Sequence, residues 1–486
     1  MQESNRSKTP DASPERSKQG NEVSTKDNQS SLLLPLSLVL ALAIVIRAAA
    51  LWLGGESLEQ DPDAYLAIAT TLHQHGVFGL TAADGQVIPT SFRPPLYPAI
   101  LSTIVNQQGS VSLFALAVVH LLLGVMTACL SFLGARRLLT INQPATKLVN
   151  ISSFFGAMLV VVDPILLQQS TYAMTETLAA CLTSFIFWTW TRSRCSEPTA
   201  GSSVLRGIAL ALAFLCRPTF LAWAILLLSG EAFILVLRTI RKQQHPSREI
   251  VLSICIPVVI LLLTVSIWTK RNEQATGHPA WATTHGGYTL LLGNNPLFYE
   301  HLETGGAFKP WDATSFTQAY AYRFAEEGSN EVFWLNARPP SDSPQPPPKD
   351  LTEHEDDQWS YRAAIATIKR SPSTFATACF NRLYRLWTPL PFGTSDRTGL
   401  KRVAITAYYL FVYTLAAIGI ITSFRNGQQR FLWPALSLLL ALSLIHTLYW
   451  SNLRMRAPAI PLIAVCASIA IAGASMRPTL RETAKT

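Results

Sequence analysis

The chain has 486 residues, of which 49% are hydrophobic and 14% are charged, and its formal net charge is +9. Soluble globular proteins carry about 25% charged residues, so the composition excludes an ordinary soluble multidomain protein and predicts an integral membrane protein. The basic residues lie mostly in loops between apolar runs, where membrane topology accounts for them, so we expect no nucleic-acid partner.

The apolar runs predict a polytopic all-α membrane protein with about ten membrane-spanning helices. Residues 1–30 are polar, with charges of both signs and almost no aliphatic side chains, which predicts a disordered tail. Residues 31–53 then form an apolar run of roughly 20 residues, the length that crosses a bilayer core. The other predicted spans lie at about 110–135, 147–163, 171–192, 203–216, 218–238, 249–269, 401–424, 430–450 and 456–475.

These spans divide the chain into a series of segments. The expected order is a cytoplasmic tail (1–30), an N-terminal transmembrane module (31–270) with a first outer loop (54–109), a small extracytoplasmic domain (271–400), C-terminal transmembrane helices (401–476) and a cytoplasmic tail (477–486). The outer domain is predicted because a connection of that length is too long for a simple loop, and an apparent helix lies near 358–387. Its proline-rich stretch at 338–349 predicts a mobile, extended insert.

The positions of lysine and arginine in the short loops predict the orientation. With ten spans, the basic loops all fall on the side of the N-terminal tail, so both termini are expected in the cytoplasm. The loop 54–109 and the segment 271–400 then share the outer side. The basic residues of the cytoplasmic loops and tail are Arg136, Arg137, Lys147, Arg192, Arg194, Arg206, Arg238, Arg241, Lys242, Arg248, Arg425, Arg430, Arg477, Arg481 and Lys485.

Five other arginines lie at outward helix ends, where the positive-inside rule does not expect them. They are Arg93, Arg217, Arg271, Arg454 and Arg456. An arginine at the end of an apolar span is costly unless it is paired or reaches the headgroups, and its planar fork matches phosphate oxygens. The set therefore predicts a site for a lipid-linked phosphate; the alternatives are headgroup anchoring or structural pairs with acidic residues.

Two carboxylates, Asp61 and Asp63, follow the first span in the sequence E-Q-D-P-D-A-Y-L-A-I-A. A carboxylate at this place can accept a proton from a reacting hydroxyl, although two loop acids also suit a solvated turn. The residues that follow predict a short amphipathic helix along the membrane face, which would fix both acids. Tyr65 on that helix is a candidate for an acceptor groove or for interfacial packing.

Further polar residues are candidates for supporting roles. Glu176 lies about a turn inside the fourth span; an intramembrane acid suggests function, and a pair with Arg217 is the structural alternative. Glu231 and His446 lie deeper and have no obvious partner in the sequence. No H-E-x-x-H, paired C-x-x-C or G-x-x-x-x-G-K-[ST] motif occurs. No cofactor or metal ligand set is therefore predicted, with a divalent ion left open, and the energy of any reaction must come with the substrate.

Seven short motifs follow one another along residues 31–475: D-P-D-A-Y-L-A-I-A, R-P-P-L-Y-P, M-T-E-T-L, L-C-R-P-T, W-T-K-R-N, G-N-N-P and N-L-R-M-R-A-P-A-I-P. In this order they resemble the GT-C superfamily of polytopic glycosyltransferases, in particular bacterial relatives of protein O-mannosyltransferases and lipid A aminoarabinose transferases. The motifs add Tyr97 and Asn294 to the supporting candidates. The resemblance implies a GT-C-like fold with membrane-surface helices.

The resemblance also implies roles for site residues. The first acid of the first outer loop, here Asp61, would be the catalytic base. The family commonly has adjacent Asp and Glu, whereas this chain has Asp61-Pro62-Asp63, so whether Asp63 replaces the second acid stays open. The family's polyprenyl-phosphate arginines resemble Arg93, Arg217, Arg271 and Arg456 by position, together with Arg454.

The expected function is inverting transfer of a hexosyl or pentosyl group from a polyprenyl-phosphate donor, at the outer face of a bacterial plasma membrane, to a lipid, glycan or protein acceptor. Two alternatives stay open. A transporter or flippase for lipid-linked saccharides or anionic lipids would also need many spans and anion-binding arginines, although such proteins often have related halves and helices broken at midplane. A non-catalytic scaffold in envelope assembly would share the same helices.

Overall fold

The computed structural model describes residues 15–141, 147–195, 199–240, 247–321, 351–391 and 399–473, and these residues are mostly helical. Two short antiparallel strands, β1 Gly79–Thr81 and β2 Val87–Pro89, pair with Leu80 opposite Ile88. The helices are α1 Glu15–Gly54, α2 Tyr65–His75, α3 Leu96–Ser102, α4 Leu113–Thr140, α5 Lys147–Val161, α6 Pro164–Gln169, α7 Glu176–Cys195, α8 Ala200–Cys216, α9 Thr219–Ile240, α10 Ser247–Ile250, α11 Ile256–Thr276, α12 Gly286–Gly293, α13 Pro296–His301, α14 Thr314–Ala321, α15 Glu353–Arg370, α16 Pro372–Trp387, α17 Gly399–Arg425, α18 Trp433–Leu448 and α19 Ile460–Gly473.

Seven helices in the described part of the chain are long and apolar enough to cross a membrane, and each coincides with a predicted span. They are Leu32–Glu59, Leu113–Thr140, Thr219–Leu237, Val251–Thr276, Gly399–Arg425, Gln429–Leu448 and Leu453–Gly473. The chain is therefore a multi-pass membrane protein, as predicted. The other three predicted spans coincide with α5 and α8, which have only 15 and 17 residues, and with the more polar α7. Length and composition together thus support seven spans in the described part of the chain and leave the predicted ten unconfirmed.

The centre of the bundle is α19, which packs against α4, α5, α7 and α17. Close approach of α17 and α19 depends on Gly419, because a Cβ atom there would lie 1.9 Å from the carbonyl oxygen of Cys466. Small residues at helix contacts are typical of membrane bundles, where close packing replaces the hydrophobic driving force. Exposed apolar side chains on the outer helices, such as Trp52, Leu262 and Val403, form surfaces suited to lipid.

An ion pair lies inside the bundle between α8 and α9. The Nη1 atom of Arg206 is 3.0 Å from Oε2 of Glu231, and the two side chains are 3% and 1% exposed. Trp190 donates its indole N–H to the same carboxylate at 2.6 Å. Arg206 is therefore not the loop residue that the orientation argument assumed, and it is the partner that the sequence did not show for Glu231. His446 has its Nδ1 atom 3.0 Å from the carbonyl oxygen of Trp450.

The segment between α11 and α17 carries its own apolar cluster of Leu291, Phe316, Ala363 and Ala364, where α12 packs on α15. The single helix predicted near 358–387 is two helices, because Pro372 cannot continue α15 and instead begins α16. The proline-rich insert predicted at 338–349 and the tail at 477–486 lie outside the described residues. Helix α1 begins at Glu15, within the segment whose composition predicts disorder.

Candidate active site

Asp61 lies in a tight turn that leads from α1 into α2. Its Oδ2 atom accepts a hydrogen bond from the amide of Ala67 at 2.9 Å, in the first turn of α2. Ala64 at the start of this helix has a φ of 59°, a left-handed conformation that is unfavourable for a residue with a Cβ and that often marks functional sites. The Oδ1 atom of Asp61 is shielded and has no hydrogen-bond partner among the described residues. One oxygen thus orients the carboxylate, and the other keeps an unused acceptor position.

Asp63 is held by Arg93. The Nη2 atom of Arg93 lies 2.7 Å from Oδ1 of Asp63, and its Nε donates to the backbone carbonyl of Asp63 at 2.8 Å. The guanidinium also stacks on Phe92, 4.3 Å from the ring centre, and lies 5.6 Å from the centre of the Tyr65 ring. These contacts bind the Arg93 guanidinium to both the carboxylate and the backbone carbonyl of Asp63.

A second acid, Glu176, lies at the start of α7 and is 1% exposed. Arg217, the residue that ends α8, places Nη1 3.6 Å from Oε1 of Glu176, so the pair that the sequence left open is present. Arg454 reaches both acids: its Nε is 3.8 Å from Glu176 and its Nη2 is 3.9 Å from Asp63. We call these five residues (Asp63, Glu176, Arg93, Arg217 and Arg454) the charge cluster; it holds three guanidinium groups and two carboxylates.

Tyr65 and Tyr97 pack edge to face beside the charge cluster, with ring centres 5.3 Å apart. Burial raises the pKa of Tyr65 to about 12; Asp63 and Glu176 act in the same direction, and Arg93 and Arg217 oppose them. Burial also holds the pKa of Tyr97 well above its usual value, with added contributions from Tyr65, Glu176 and Asp61. Both phenols therefore stay protonated at neutral pH. The hydroxyl of Tyr97 lies 2.8 Å from Nε2 of His120, so this side chain supports the site from within the core.

A cavity of about 710 Å³ adjoins the charge cluster. Its polar lining includes four basic side chains: Arg385 of α16, Lys401 of α17, and Arg454 and Arg456 of the turn before α19. Its apolar walls come from the ends of helices, including Leu53 of α1, Ile165 of α6 and Ile405 of α17. Arg454 is therefore shared between the cavity and the charge cluster.

Arg456 is 1% exposed although it lines this cavity. Its Nη1 donates to the carbonyl oxygens of Leu386 at 3.2 Å and Thr388 at 2.6 Å. Its Nε and Nη2 atoms have no hydrogen-bond partner in the described part of the chain. The guanidinium stacks on Tyr409, 4.1 Å from the ring centre. A buried cation with unused donors is a favourable place for an anion.

The carboxylate near Arg456 is that of Asp163, and other groups already donate hydrogen bonds to it. Asp163 accepts hydrogen bonds from the hydroxyl of Tyr409 at 3.2 and 3.1 Å, and from the amides of Ile165 and Leu166 at the start of α6. Among the described residues, no carboxylate lies within 4.0 Å of the Arg456 guanidinium. Tyr409 thus binds Asp163 through its hydroxyl and Arg456 through its ring.

Two predicted site residues lie elsewhere. Arg271 donates through Nη1 to the carbonyl oxygen of Thr90 at 2.7 Å and through Nη2 to that of Phe78 at 2.8 Å, so it braces the loop 54–109. Asn294 donates to the carbonyl oxygen of Leu448 at 2.9 Å and accepts from Arg382 at 3.1 Å. It joins the segment between α11 and α17 to the end of α18.

The sequence did not identify Arg385, Lys401 or Tyr409 as cavity residues. Each lies outside the seven motifs, on a helix whose sequence (N-R-L-Y-R-L-W, G-L-K-R-V or A-Y-Y-L) gives no sign of a shared cavity. In the described ranges, no group of three or more His, Cys, Asp or Glu side chains is placed to hold a metal ion.

A comparison with known proteins finds no matching family model and no matching curated protein. Among solved structures, the chain is similar to ArnT from Cupriavidus metallidurans bound to undecaprenyl phosphate, with 12% identity and a TM-score of 0.37, over 90% of this chain and 77% of that one. It is also similar to the Archaeoglobus fulgidus oligosaccharyltransferase in the apo form, with 15% identity and a TM-score of 0.41, over 90% of this chain and 50% of that one. AglB from the same organism, in complex with an inhibitory peptide and a dolichol-phosphate, shows 14% identity and a TM-score of 0.39, with coverage of 90% and 50%.

Proposed function

We propose that this chain is a GT-C-type membrane glycosyltransferase that moves a sugar from a polyprenyl-phosphate donor to a lipid, glycan or protein acceptor. The observation that supports this most directly is the position of Arg454. It lines the basic cavity and also lies within 4 Å of Asp63 and Glu176. A phosphate bound in the cavity and an acceptor bound near the acids would therefore be adjacent to the same side chain.

The cavity suits an isoprenoid phosphate in both of its parts. Its apolar walls, at the ends of α1, α6 and α17, match a hydrocarbon chain, and Arg385, Lys401 and Arg456 match a phosphate. The unused donors of Arg456 would be satisfied by phosphate oxygens. Cavities that bind ligands are commonly apolar with a few well-placed polar groups, which is the arrangement here.

The five arginines predicted to bind phosphate would then have different tasks. Arg454 and Arg456 would hold the donor phosphate, together with Arg385 and Lys401. Arg93 and Arg217 are within ion-pairing distance of Asp63 and Glu176, so they would mainly order those carboxylates. Arg271 uses both of its Nη atoms on backbone carbonyls and would stabilise the loop.

The proposed reaction is a single displacement at the anomeric carbon. The acceptor hydroxyl oxygen forms the new bond to that carbon while the bond to the phosphate oxygen breaks, and the electron pair leaves with the polyprenyl phosphate. Asp61, through its free Oδ1, takes the hydroxyl proton. The basic side chains of the cavity stabilise the charge that collects on the departing phosphate. The configuration of the sugar is inverted, and no further co-reactant is needed.

We place this reaction at the outer face of a bacterial plasma membrane, with both termini in the cytoplasm. The support is the distribution of basic loops in the sequence. The turn with Asp61, the cavity and the outer domain would then all face away from the cytoplasm. Cysteine labelling from outside intact cells at Glu59, an exposed residue beside Asp61, tests this orientation.

The test of function begins with membranes from cells that have or lack the gene. Mass spectrometry should show an isoprenoid-phosphate sugar that accumulates when the protein is absent. The purified protein in lipid nanodiscs should then transfer that sugar to an acceptor from the same membranes, with inverted configuration. Vesicles that take up the donor without forming a covalent product would instead indicate a transporter.

A further inference from the structure

Glu353, in the first turn of α15, binds the first outer loop, which lies more than 250 residues earlier in the chain. Its Oε1 atom accepts from the amide of Ser91 at 3.1 Å and from the hydroxyl of Ser91 at 3.2 Å, across 262 residues. It also accepts short hydrogen bonds from the hydroxyls of Thr90 and Thr284. One carboxylate of the outer domain is therefore surrounded by four donors, three of them from two consecutive residues of the loop.

Further hydrogen bonds hold the same two residues through their carbonyl oxygens. Arg271 of α11 donates to the carbonyl oxygen of Thr90 at 2.7 Å, and the amide of Thr284 donates to that of Ser91 at 3.1 Å. Thr90 and Ser91 are 2% and 0% exposed. The loop backbone at this point has its polar groups engaged by α11, by the segment before α12 and by α15.

Arg93 follows two residues later. Its side chain holds both the carboxylate and the backbone carbonyl of Asp63, and the turn that contains Asp63 also contains Asp61. A displacement of Ser91 would therefore move Arg93, which is two residues away. Through the hydrogen bonds of Arg93 to Asp63, it would also move the turn that holds the carboxylate of Asp61. Misplacement of a reacting group by about 1 Å can cost about 100-fold in rate.

We propose that Glu353 is a positioning residue: it fixes Thr90 and Ser91 so that Arg93 holds the Asp61–Asp63 turn in its working conformation. Its effect on rate rests on the proposed glycosyl transfer, whereas its effect on the turn does not. In the described part of the chain Glu353 has no hydrogen bond or ion pair with the charge cluster or with Asp61, so it acts through the loop.

Three variants separate this role from simple support of the outer domain. Glu353→Ala removes the acceptor, and Glu353→Gln keeps an oxygen that can accept from the Ser91 amide. Glu355→Ala is the matched control, because Glu355 lies on the same turn and caps α15 through the amide and hydroxyl of Thr352, both at 2.8 Å, without touching the loop. Loss of that cap weakens the helix start but removes none of the hydrogen bonds that Ser91 makes to Glu353.

The first readout is hydrogen exchange, which needs no substrate. The amide of Ala67 reports on Asp61, whose Oδ2 atom accepts from it. We expect Glu353→Ala to speed exchange about tenfold both at 88–94 and at Ala67, Glu353→Gln to restore most of the protection, and Glu355→Ala to change neither. In an Arg93→Ala background, Glu353→Ala should add nothing at Ala67. Faster exchange at 88–94 with an unchanged Ala67 amide contradicts the proposal, as does an equal effect of Glu355→Ala.

The second readout is transfer kinetics in nanodiscs. Glu353→Ala should lower kcat at least about tenfold and leave KM for the donor within about threefold, with Glu353→Gln near the wild type. A kcat equal to that of Glu355→Ala, despite faster exchange at Ala67, rejects the positioning role. If the wild type forms no product, glycosyl transfer fails as the function, and the Ala67 amide alone then decides whether Glu353 fixes the turn.

Discussion

Arg456 and Tyr409 are stacked, with the guanidinium carbon 4.1 Å from the ring centre, and the Tyr409 hydroxyl donates to Asp163. This arrangement keeps a carboxylate near a buried arginine without a direct ion pair. Two of the guanidinium nitrogens have no hydrogen-bond partner among the described residues, and the side chain lines a cavity. An ion pair with Asp163 would instead compete with any anionic ligand.

The first prediction concerns the affinity of that cavity for an isoprenoid phosphate. We expect Arg456→Ala to weaken binding of a short-chain polyprenyl phosphate about 10- to 100-fold, because hydrogen bonds to a charged group contribute about 1.5–3 kcal/mol. Arg456→Lys should lose less, since it keeps the charge but not the planar fork. Native mass spectrometry measures both, with the exposed Arg430→Ala as the control. Equal affinity of Arg456→Ala and the wild type would place the phosphate elsewhere.

The second prediction concerns the proton acceptor. Asp61→Asn should lower the rate of sugar transfer about 10²- to 10⁴-fold, the usual contribution of a general base, while donor affinity stays close to that of the wild type. Glu59→Gln is the matched control, because Glu59 is an exposed acid two residues earlier in the chain. Single-turnover assays with bound donor measure the rate. Full activity of Asp61→Asn would remove this residue from the chemistry.

The third prediction concerns the ion pair inside the bundle. Glu231→Gln should destabilise the protein by about 3–5 kcal/mol, because it leaves the buried Arg206 without its counter-ion. The double variant Arg206→Met and Glu231→Gln should recover much of this loss, since it also removes the charge of Arg206. Thermal unfolding in detergent compares the three proteins. Additive losses in the double variant would show that the two residues stabilise the bundle independently.

The fourth prediction concerns pH. Burial raises the pKa of Asp357 from 3.8 to about 6, and the hydrogen bond from the amide of Gly287 opposes this rise. Because the folded pKa is above the unfolded one, the folded state binds more protons. The protonated Asp357 carboxyl therefore stabilises the folded state. This stabilisation is complete below about pH 4 and is lost as the pH rises to about 6. Asp357→Asn should therefore gain melting temperature relative to the wild type between about pH 4.5 and pH 7, and a constant difference over this range would contradict the assignment.

The fifth prediction concerns the contact between α17 and α19. Gly419→Ala should destabilise the bundle by about 1–3 kcal/mol, the usual cost of overpacking, because the new Cβ atom would meet the carbonyl oxygen of Cys466. Gly201→Ala is the control, since a Cβ atom there meets nothing within 4 Å. Melting temperatures in detergent measure both. A Gly419→Ala protein as stable as the wild type would mean that the two helices can separate without loss.

The sequence by itself determined the class of the protein and the position of most helices. The length of an apolar run and the placing of proline and glycine act on the local backbone, so seven predicted spans and the helix after Asp63 could be read directly. The pair of Glu176 with Arg217 was foreseeable for the same reason. The sequence places Glu176 near the start of α7 and Arg217 at the end of α8, and these two ends lie on the same side of the bundle. The break at Pro372 also has a local cause, because a proline begins a helix readily and cannot continue one.

Only the tertiary structure decided which side chains meet. Arg271 and Arg456 looked alike in the sequence, as arginines at the ends of spans. In the structure Arg271 braces a loop through two backbone carbonyls, whereas Arg456 lines a cavity and keeps two nitrogens without a hydrogen-bond partner among the described residues. Arg454, Asp63 and Glu353 come from distant parts of the chain, and their contacts depend on how helices pack in three dimensions. Hydrophobic patterns fix which face of a helix is buried, but they contain no information about which partner lies opposite it.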